Sequence, residues 1–250
     1  VQRYGIKYPV LQDNDKETWN AYKNKYWPRN YLIDSEGYIR YNHIGEGNYS
    51  ETENVIKYLL SERVPGIDLK RTVFNNSSNT NNTAPINSIF QSVDFSKIKT
   101  PDLYLGYGFT RHPLGNPEGF HPDKNVTYAI PPSNSSFKPN TIYLEGKWKN
   151  NPDNMELQSD NGVILLNYSA KSVNLVAGGG GNGKSQGIVY EDNSLLSNNS
   201  KGADIGNNHK FAIDYPRLYS LVNHQSYSGN HSLLIVVKGK GFHAFVFTFG

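Results

Sequence analysis

Gly178, then four residues, then Gly183, Lys184 and Ser185 match the phosphate-loop pattern G-x-x-x-x-G-K-[ST] letter for letter. Such a loop needs a strand before it and a helix after it, because the phosphates rest on a helix N-terminus. Upstream, residues 172–176 alternate polar and apolar, as a strand does. Downstream, Gly187 sits where the first helical turn would be, and Ile188, Val189 and Tyr190 are strand formers. The glycine run therefore reads as a β–β loop, and no nucleotide is expected. His112 and His121, with Glu118 and Asp123, are metal-ligating types close in sequence. Their stretch, RHPLGNPEGFHPDK, is rich in Pro and Gly and reads as a solvated loop. His209, His224 and His231 stand singly and read as surface or strand-end residues, so neither a metal site nor a cofactor is expected. Trp148 and Tyr143 share one candidate strand, where an aromatic ring either stacks on a sugar or fills the core. There is no Cys, so these 250 residues offer no thiol nucleophile, disulfide or thiolate ligand. No Ser-His-Asp arrangement or close carboxylate pair can be argued from spacing.

The residues around these groups are polar: 36% are hydrophobic and 19% charged, with a net charge of +3 and both signs interspersed. No dense Lys/Arg stripe marks a nucleic-acid surface. No apolar run approaches a membrane span, and neither a Met nor a signal peptide opens the chain, which reads as a processed or incomplete product. Of the 31 Asn, nine lie in N-x-[ST] sequons: Asn48, Asn75, Asn76, Asn81, Asn125, Asn134, Asn167, Asn198 and Asn230. That is about twice what chance places at this Ser and Thr content, and it points to a glycosylated, extracellular or cell-surface protein.

Three zones position these residues. Residues 1–62 mix helix and strand. YPVLQD reads as a short strand, and DNDKETWNAYKNKYW as a helix capped by Asp13 or Asp15 and stopped by Pro28. RNYLIDSEGYIRYNHIG reads as a hairpin about Ser35-Glu36-Gly37. SETENVIKYLLSER is a helix with Ser50 and Glu53 as a capping box and one apolar face. Residues 63–88 form an Asn/Ser/Thr-rich linker. Residues 89–250 carry seven alternating runs, TIYLEGKWK, NGVILLNYSA, SVNLVAG, QGIVYED, RLYSLVNH, HSLLIVVKGK and GFHAFVFTFG, which predict an antiparallel sandwich.

The first zone resembles, almost end to end, the latter part of the thioredoxin-like domain of DipZ-type thiol–disulfide proteins. The resemblance rests on Tyr8-Pro9-Val10, Asp13-Asn14-Asp15, Thr18-Trp19, Tyr26-Trp27-Pro28, Tyr31-Leu32-Ile33-Asp34, Gly45-Glu46-Gly47 and Thr52-Glu53. The second resembles the β-sandwich that follows in the same family, through TPDLYLGYG, VNLVAGG, RLYSLV and AFVFTFG. The resemblance implies a cis bond before Pro28, with Trp27, Pro28 and Arg29 bordering a substrate groove. It also implies a C-x-x-C segment that this sequence lacks.

The expected architecture is thus α/β plus all-β: an incomplete thioredoxin-like fold, then a jelly-roll-like sandwich resembling carbohydrate-binding modules, with possible sugar contact at Trp148 and Tyr143. A hairpin and two helices cannot cover both faces of a parallel sheet. The N-terminal half of the fold, or another chain, is therefore expected as partner, with glycans and exported thiol proteins as further candidates. Two functions follow from this. In one, the chain is the C-terminal part of an exported thiol–disulfide oxidoreductase, not catalytic as given, whose sandwich docks substrate or sugar. In the other, it is a non-catalytic, glycosylated cell-surface or filament-forming protein.

Overall fold

Gly146 is the hinge on which the larger unit turns. It lies in the middle of β5 (Ile142–Asn150) at φ +103°, and a Cβ there would meet the Asn161 carbonyl at 2.9 Å. Before it, residues 142–145 pair with β7 (Asn161–Tyr168); after it, residues 146–150 pair with β4 (Asn125–Tyr128) and β6 (Met155–Leu157). One strand therefore serves two sheets, and only a residue without a side chain fits at the corner.

The structure, a computed structural model, describes residues 5–45, 47–69, 96–132, 137–180, 185–227 and 229–250. The chain divides into two units, Val1–Pro85 and Ile86–Gly250. Most of the linker assigned to 63–88 lies outside the described residues.

In the second unit one sheet continues from β7 to β13 (His231–Lys238), β9 (Ser185–Glu191) and, at its edge, β10 (Ser194–Leu195) and β11 (Lys210–Ile213). The other continues from β6 to β14 (His243–Phe249), β8 (Ser172–Gly178) and β12 (Arg217–Asn223), with β3 (Leu103–Tyr104) beside β14. Every named strand pair is antiparallel. Ring contacts join the two sheets: Tyr168 on Phe249 at 6.0 Å, and Phe211 on Tyr219 at 5.9 Å. The core between them holds Leu144, Trp148, Leu157, Ile164, Leu166, Leu175, Leu221, Leu233, Ile235 and Phe247, all fully buried. Asn116 ties the loop before β4 to the corner strand. Its amide donates to the carbonyls of Ala129 (2.9 Å) and Leu144 (2.8 Å), and its oxygen accepts the Leu144 N–H at 2.7 Å.

All seven alternating runs form strands of this antiparallel β-sandwich. The glycine run joins β8 to β9, and its residues 181–184 lie outside the described set. Ser185 opens a strand, which removes the helix a phosphate loop requires. A Cβ on Gly180 would lie 2.1 Å from the Lys240 carbonyl oxygen, so this glycine permits close backbone approach.

The first unit is small. Its hairpin, β1 (Arg29–Ile33) with β2 (Ile39–Ile44), stands where expected. Asp34 makes the turn by accepting the Glu36 and Tyr38 N–H groups. Three local expectations need correction. YPVLQD forms no strand; Tyr8, Val10 and Leu11 are exposed, and no strand among the described residues pairs with it. The first helix, α1, covers only Glu17–Ala21. Lys23 turns to φ 48° beyond its end, and Lys16 rather than Asp13 or Asp15 takes the N-cap position, while the Asp13 carboxylate accepts the N–H groups of Thr18 (2.9 Å) and Trp19 (2.8 Å). The second, α2 (Tyr49–Arg63), has its N-cap two residues early, at Asn48 rather than Ser50, with no side-chain cap. Glu53 pairs with Lys57 at 2.8 Å instead of closing a capping box.

Candidate functional site

Side chains along a strand alternate between faces, so each inward apolar stripe must end where the core meets water. Three stripes of the first sheet end together at one edge of the sandwich. Ile164 and Leu166 lead to Tyr168, Gly187 and Val189 to Glu191, and Val237, Ile235 and Leu233 to His231. Tyr168 and His231 are direct partners across β7 and β13. His224, just past the end of β12, adds a fourth polar group from the other sheet.

The four converge. The His224 Nε2 lies 3.0 Å from Glu191 Oε1 and 3.3 Å from the Tyr168 hydroxyl, and that hydroxyl donates to the same carboxylate oxygen. The two imidazoles stack with centroids 4.7 Å apart and planes at 22°. Asp192 steadies the far side. One of its oxygens lies 2.8 Å from His231 Nδ1, and the other accepts the Ser232 N–H at 2.9 Å. Asp192 (φ 50°) and Asn193 (φ 63°) form the two-residue turn between β9 and β10, a left-handed pair that Asp and Asn tolerate. The Glu191, His224 and His231 side chains are 10%, 12% and 16% exposed, so the cluster is sheltered yet reachable.

Electrostatics follow from this packing. Burial works against the Glu191 charge, but hydrogen bonds from His224 and Tyr168 and the nearby imidazoles hold its carboxyl below the ordinary value. Asp192 is likewise held low: burial is outweighed by the Ser232 N–H and by His231. Burial, with the Glu191 charge beside it, drives the Tyr168 hydroxyl far above its usual range, so it keeps its proton. Glu191, His224 and His231 each offer one ligand atom within 4.8 Å of the others, a metal-capable set.

Reading His224 and His231 as isolated surface residues missed this cluster. The signal was present: counting back by twos from Leu233 reaches His231, and counting forward from Val189 reaches Glu191. The loop histidines do not converge in this way. His121 Nε2 contacts the Glu118 carbonyl at 2.9 Å, and Asp123 accepts from the Tyr107 hydroxyl. Sugar contact at Trp148 and Tyr143 is corrected as well. Trp148 is fully buried with its Nε1–H given to the Glu145 carbonyl. Tyr143 is 5% exposed, packs edge-on against Phe137, and accepts the Lys138 N–H. Neither presents a ring face to solvent.

In the first unit the Trp27–Pro28 bond is cis, as the resemblance implies. Trp27 is exposed and packs on Trp19 at 4.5 Å. Arg29 lies 4.8 Å from the Tyr31 ring and donates to Asn42 Oδ1 at 3.0 Å. The adjacent concavity, of about 370 Å³, is lined by Asp13, Trp19, Tyr22 and Tyr31 rather than by residues 27–29 themselves. Among the sequons, Asn48, Asn125, Asn198 and Asn230 are exposed, whereas Asn167 is half-buried and gives its amide to the Phe137 carbonyl at 2.9 Å. Asn75, Asn76, Asn81 and Asn134 lie outside the described residues.

Residues 100–250 match the family described as the thioredoxin like C-terminal domain. The chain belongs to that family. It is 33% identical over 177 residues to Protein DipZ of Mycobacterium tuberculosis and, equally, to Protein DipZ of Mycobacterium bovis. These matches take in 71% of this chain and 23% of each relative, so the chain spans less than a quarter of their length. It is a DipZ-type thioredoxin-like protein, as its motifs imply. The matched residues are themselves an antiparallel sandwich, so DipZ-type membership does not place a thioredoxin fold within 100–250. A family two carbohydrate esterase from Clostridium thermocellum, solved with cellohexaose, overlays 44% of the chain and 31% of its own length at 16% identity. Its TM-score is 0.35, a likeness too partial to speak for fold or ligand. Among the described residues, no helix is long and apolar enough to cross a membrane.

Proposed function

We propose that this chain is the C-terminal portion of an exported thiol–disulfide oxidoreductase. In this reading the first unit is the end of a thioredoxin-like domain, and the sandwich is a docking module for substrate or glycan. The observation that carries the reading is that no described side chain of the first unit is buried, although β1, β2 and α2 all bear apolar residues. Leu32, Ile33, Ile56, Leu59 and Leu60 line a cleft of about 360 Å³ together with Asp34, Arg40 and Glu62, and these apolar side chains stay partly open to water. An α/β layer left this open calls for the rest of its sheet. The N-terminal half of a thioredoxin fold supplies it, from the same polypeptide or from another chain, together with the C-x-x-C thiolate that exchange needs. Trp27, Pro28 and Arg29 then border the substrate groove.

The test is insulin reduction. The 250-residue chain has no thiol and is expected to show background rates only. The natural full-length polypeptide is expected to reduce insulin, and Trp27→Ala with Arg29→Ala to raise KM more than they lower kcat. A natural polypeptide without C-x-x-C, or one inert towards disulfides, would leave the non-catalytic surface protein as the better account.

A further inference from the structure

The Glu191–His224–His231 cluster offers no thiol for disulfide exchange and lies on the other unit. We propose that it binds one divalent transition-metal ion, with zinc the best match, through one atom from each of the three side chains. Two imidazoles and a carboxylate form a donor set suited to zinc and its late first-row neighbours; calcium and magnesium prefer all-oxygen shells. Tetrahedral zinc with bonds near 2.0–2.1 Å places its ligands about 3.3 Å apart. His224 Nε2 and Glu191 Oε1 already stand at 3.0 Å, and all three ligand atoms lie within 4.8 Å. Small side-chain rotations close the remaining gap.

The surrounding groups do what outer partners of a metal do. Asp192 engages His231 Nδ1 and fixes the imidazole, while the Tyr168 hydroxyl fixes the Glu191 carboxylate. Charge points the same way. With the imidazoles neutral, as metal ligation requires, the cluster carries the two negative charges of Glu191 and Asp192. A divalent cation neutralises it. Three protein ligands leave a fourth position for water or an incoming ligand. The site draws on both sheets, since β12 leads into His224 whereas the others lie on β9 and β13, so a bound ion would also clasp the edge of the sandwich.

Zinc titration by calorimetry on the EDTA-stripped 250-residue chain tests this. One equivalent is expected to bind, with affinity falling more than about 100-fold in His224→Ala and His231→Ala, and about 10- to 100-fold in Asp192→Asn. Imidazole NMR gives a second readout: zinc should shift two of the seven histidines, His224 and His231. Circular dichroism identifies any variant that fails to fold. Glu191→Gln, which keeps the side-chain shape, then replaces it and should weaken binding comparably. Absence of binding in natively folded protein, binding that survives both histidine changes, or shifts at His112 and His121 instead would overturn the proposal. Loss of the metal site would leave the disulfide reading untouched, because insulin reduction does not use it.

Discussion

The two units of this chain solve the burial problem differently. The sandwich encloses its apolar stripes completely, from Leu144 and Trp148 at the corner strand to Phe247 near the C-terminus. Among its described residues the first unit encloses none: Ile33, Ile56 and Leu60 are 44%, 40% and 40% exposed. Both have hydrogen-bonded strands and apolar patterning, so neither feature alone makes a self-sufficient fold. The difference is a second layer. Two sheets face each other in the sandwich, whereas the described residues of the first unit form a single hairpin and its helices, with no second sheet among them.

The sharpest way to break this comparison is to remove a large side chain from each unit. Trp148→Ala deletes a fully buried indole together with its bond to Glu145, and about 3–5 kcal/mol of sandwich stability should go with it. Leu60→Ala in the first unit should change stability by no more than about 0.5 kcal/mol. Urea unfolding followed by a probe in each unit measures both. A large loss at Leu60 would mean that the first unit is packed after all.

A smaller effect is expected from polar burial. Asn116→Ala leaves the Leu144 N–H and the Ala129 and Leu144 carbonyls without their buried partner, at a cost of about 2–3 kcal/mol. Asn116→Asp sharpens the point. It keeps the acceptor for Leu144 but removes both donated bonds, and it should not rescue stability.

How far the sequence alone reaches also differs between the units. The seven long strands were legible as short apolar or alternating runs, rich in strand-forming residues and set between Gly, Asn, Asp and Pro turn residues. Strands β3, β6 and β10 have two or three residues, too few for any period, and they exist because neighbours offer them a ladder. The bend at Gly146 was invisible, because TIYLEGKWK alternates as if it were one straight strand. In the first unit α1 was overread. Its polar run carries Asp13 but no apolar stripe with anything to bury against, so it stops after five residues. The polar cluster needed four positions spread over more than sixty residues to be set on one edge, which only the sheet register supplies.

Acid should separate the cluster from a merely decorative polar edge. The Glu191 carboxyl is held below the ordinary value of 4.5, so its ionised form stabilises the fold. That contribution is complete above the unfolded value and is lost as pH falls through the lower folded one. Wild-type stability should therefore fall more steeply as pH drops below the ordinary carboxylate range than that of Glu191→Gln. Equal slopes in thermal melts across that range would show that Glu191 gains nothing from His224 and Tyr168.

The smallest expected effect lies on the exposed hairpin, where Arg40 reaches Asp34 at 3.1 Å and Glu62 at 3.3 Å. The ion pairs look like a clasp between the hairpin and α2, but Arg40 and Glu62 are open to water, where such pairs are weak and screened by salt. The Asp34 carboxyl is held low first by the Tyr38 N–H, and Arg40 adds less. Removing the arginine should therefore leave the turn in place, whereas removing the aspartate takes away the acceptor of both the Glu36 and Tyr38 N–H groups. Amide exchange separates the two roles. Protection at Glu36 and Tyr38 should persist in Arg40→Ala and vanish in Asp34→Ala, and added salt should not change the first result. Equal loss in both variants would make the ion pair, not the turn, the element that holds this open unit in shape.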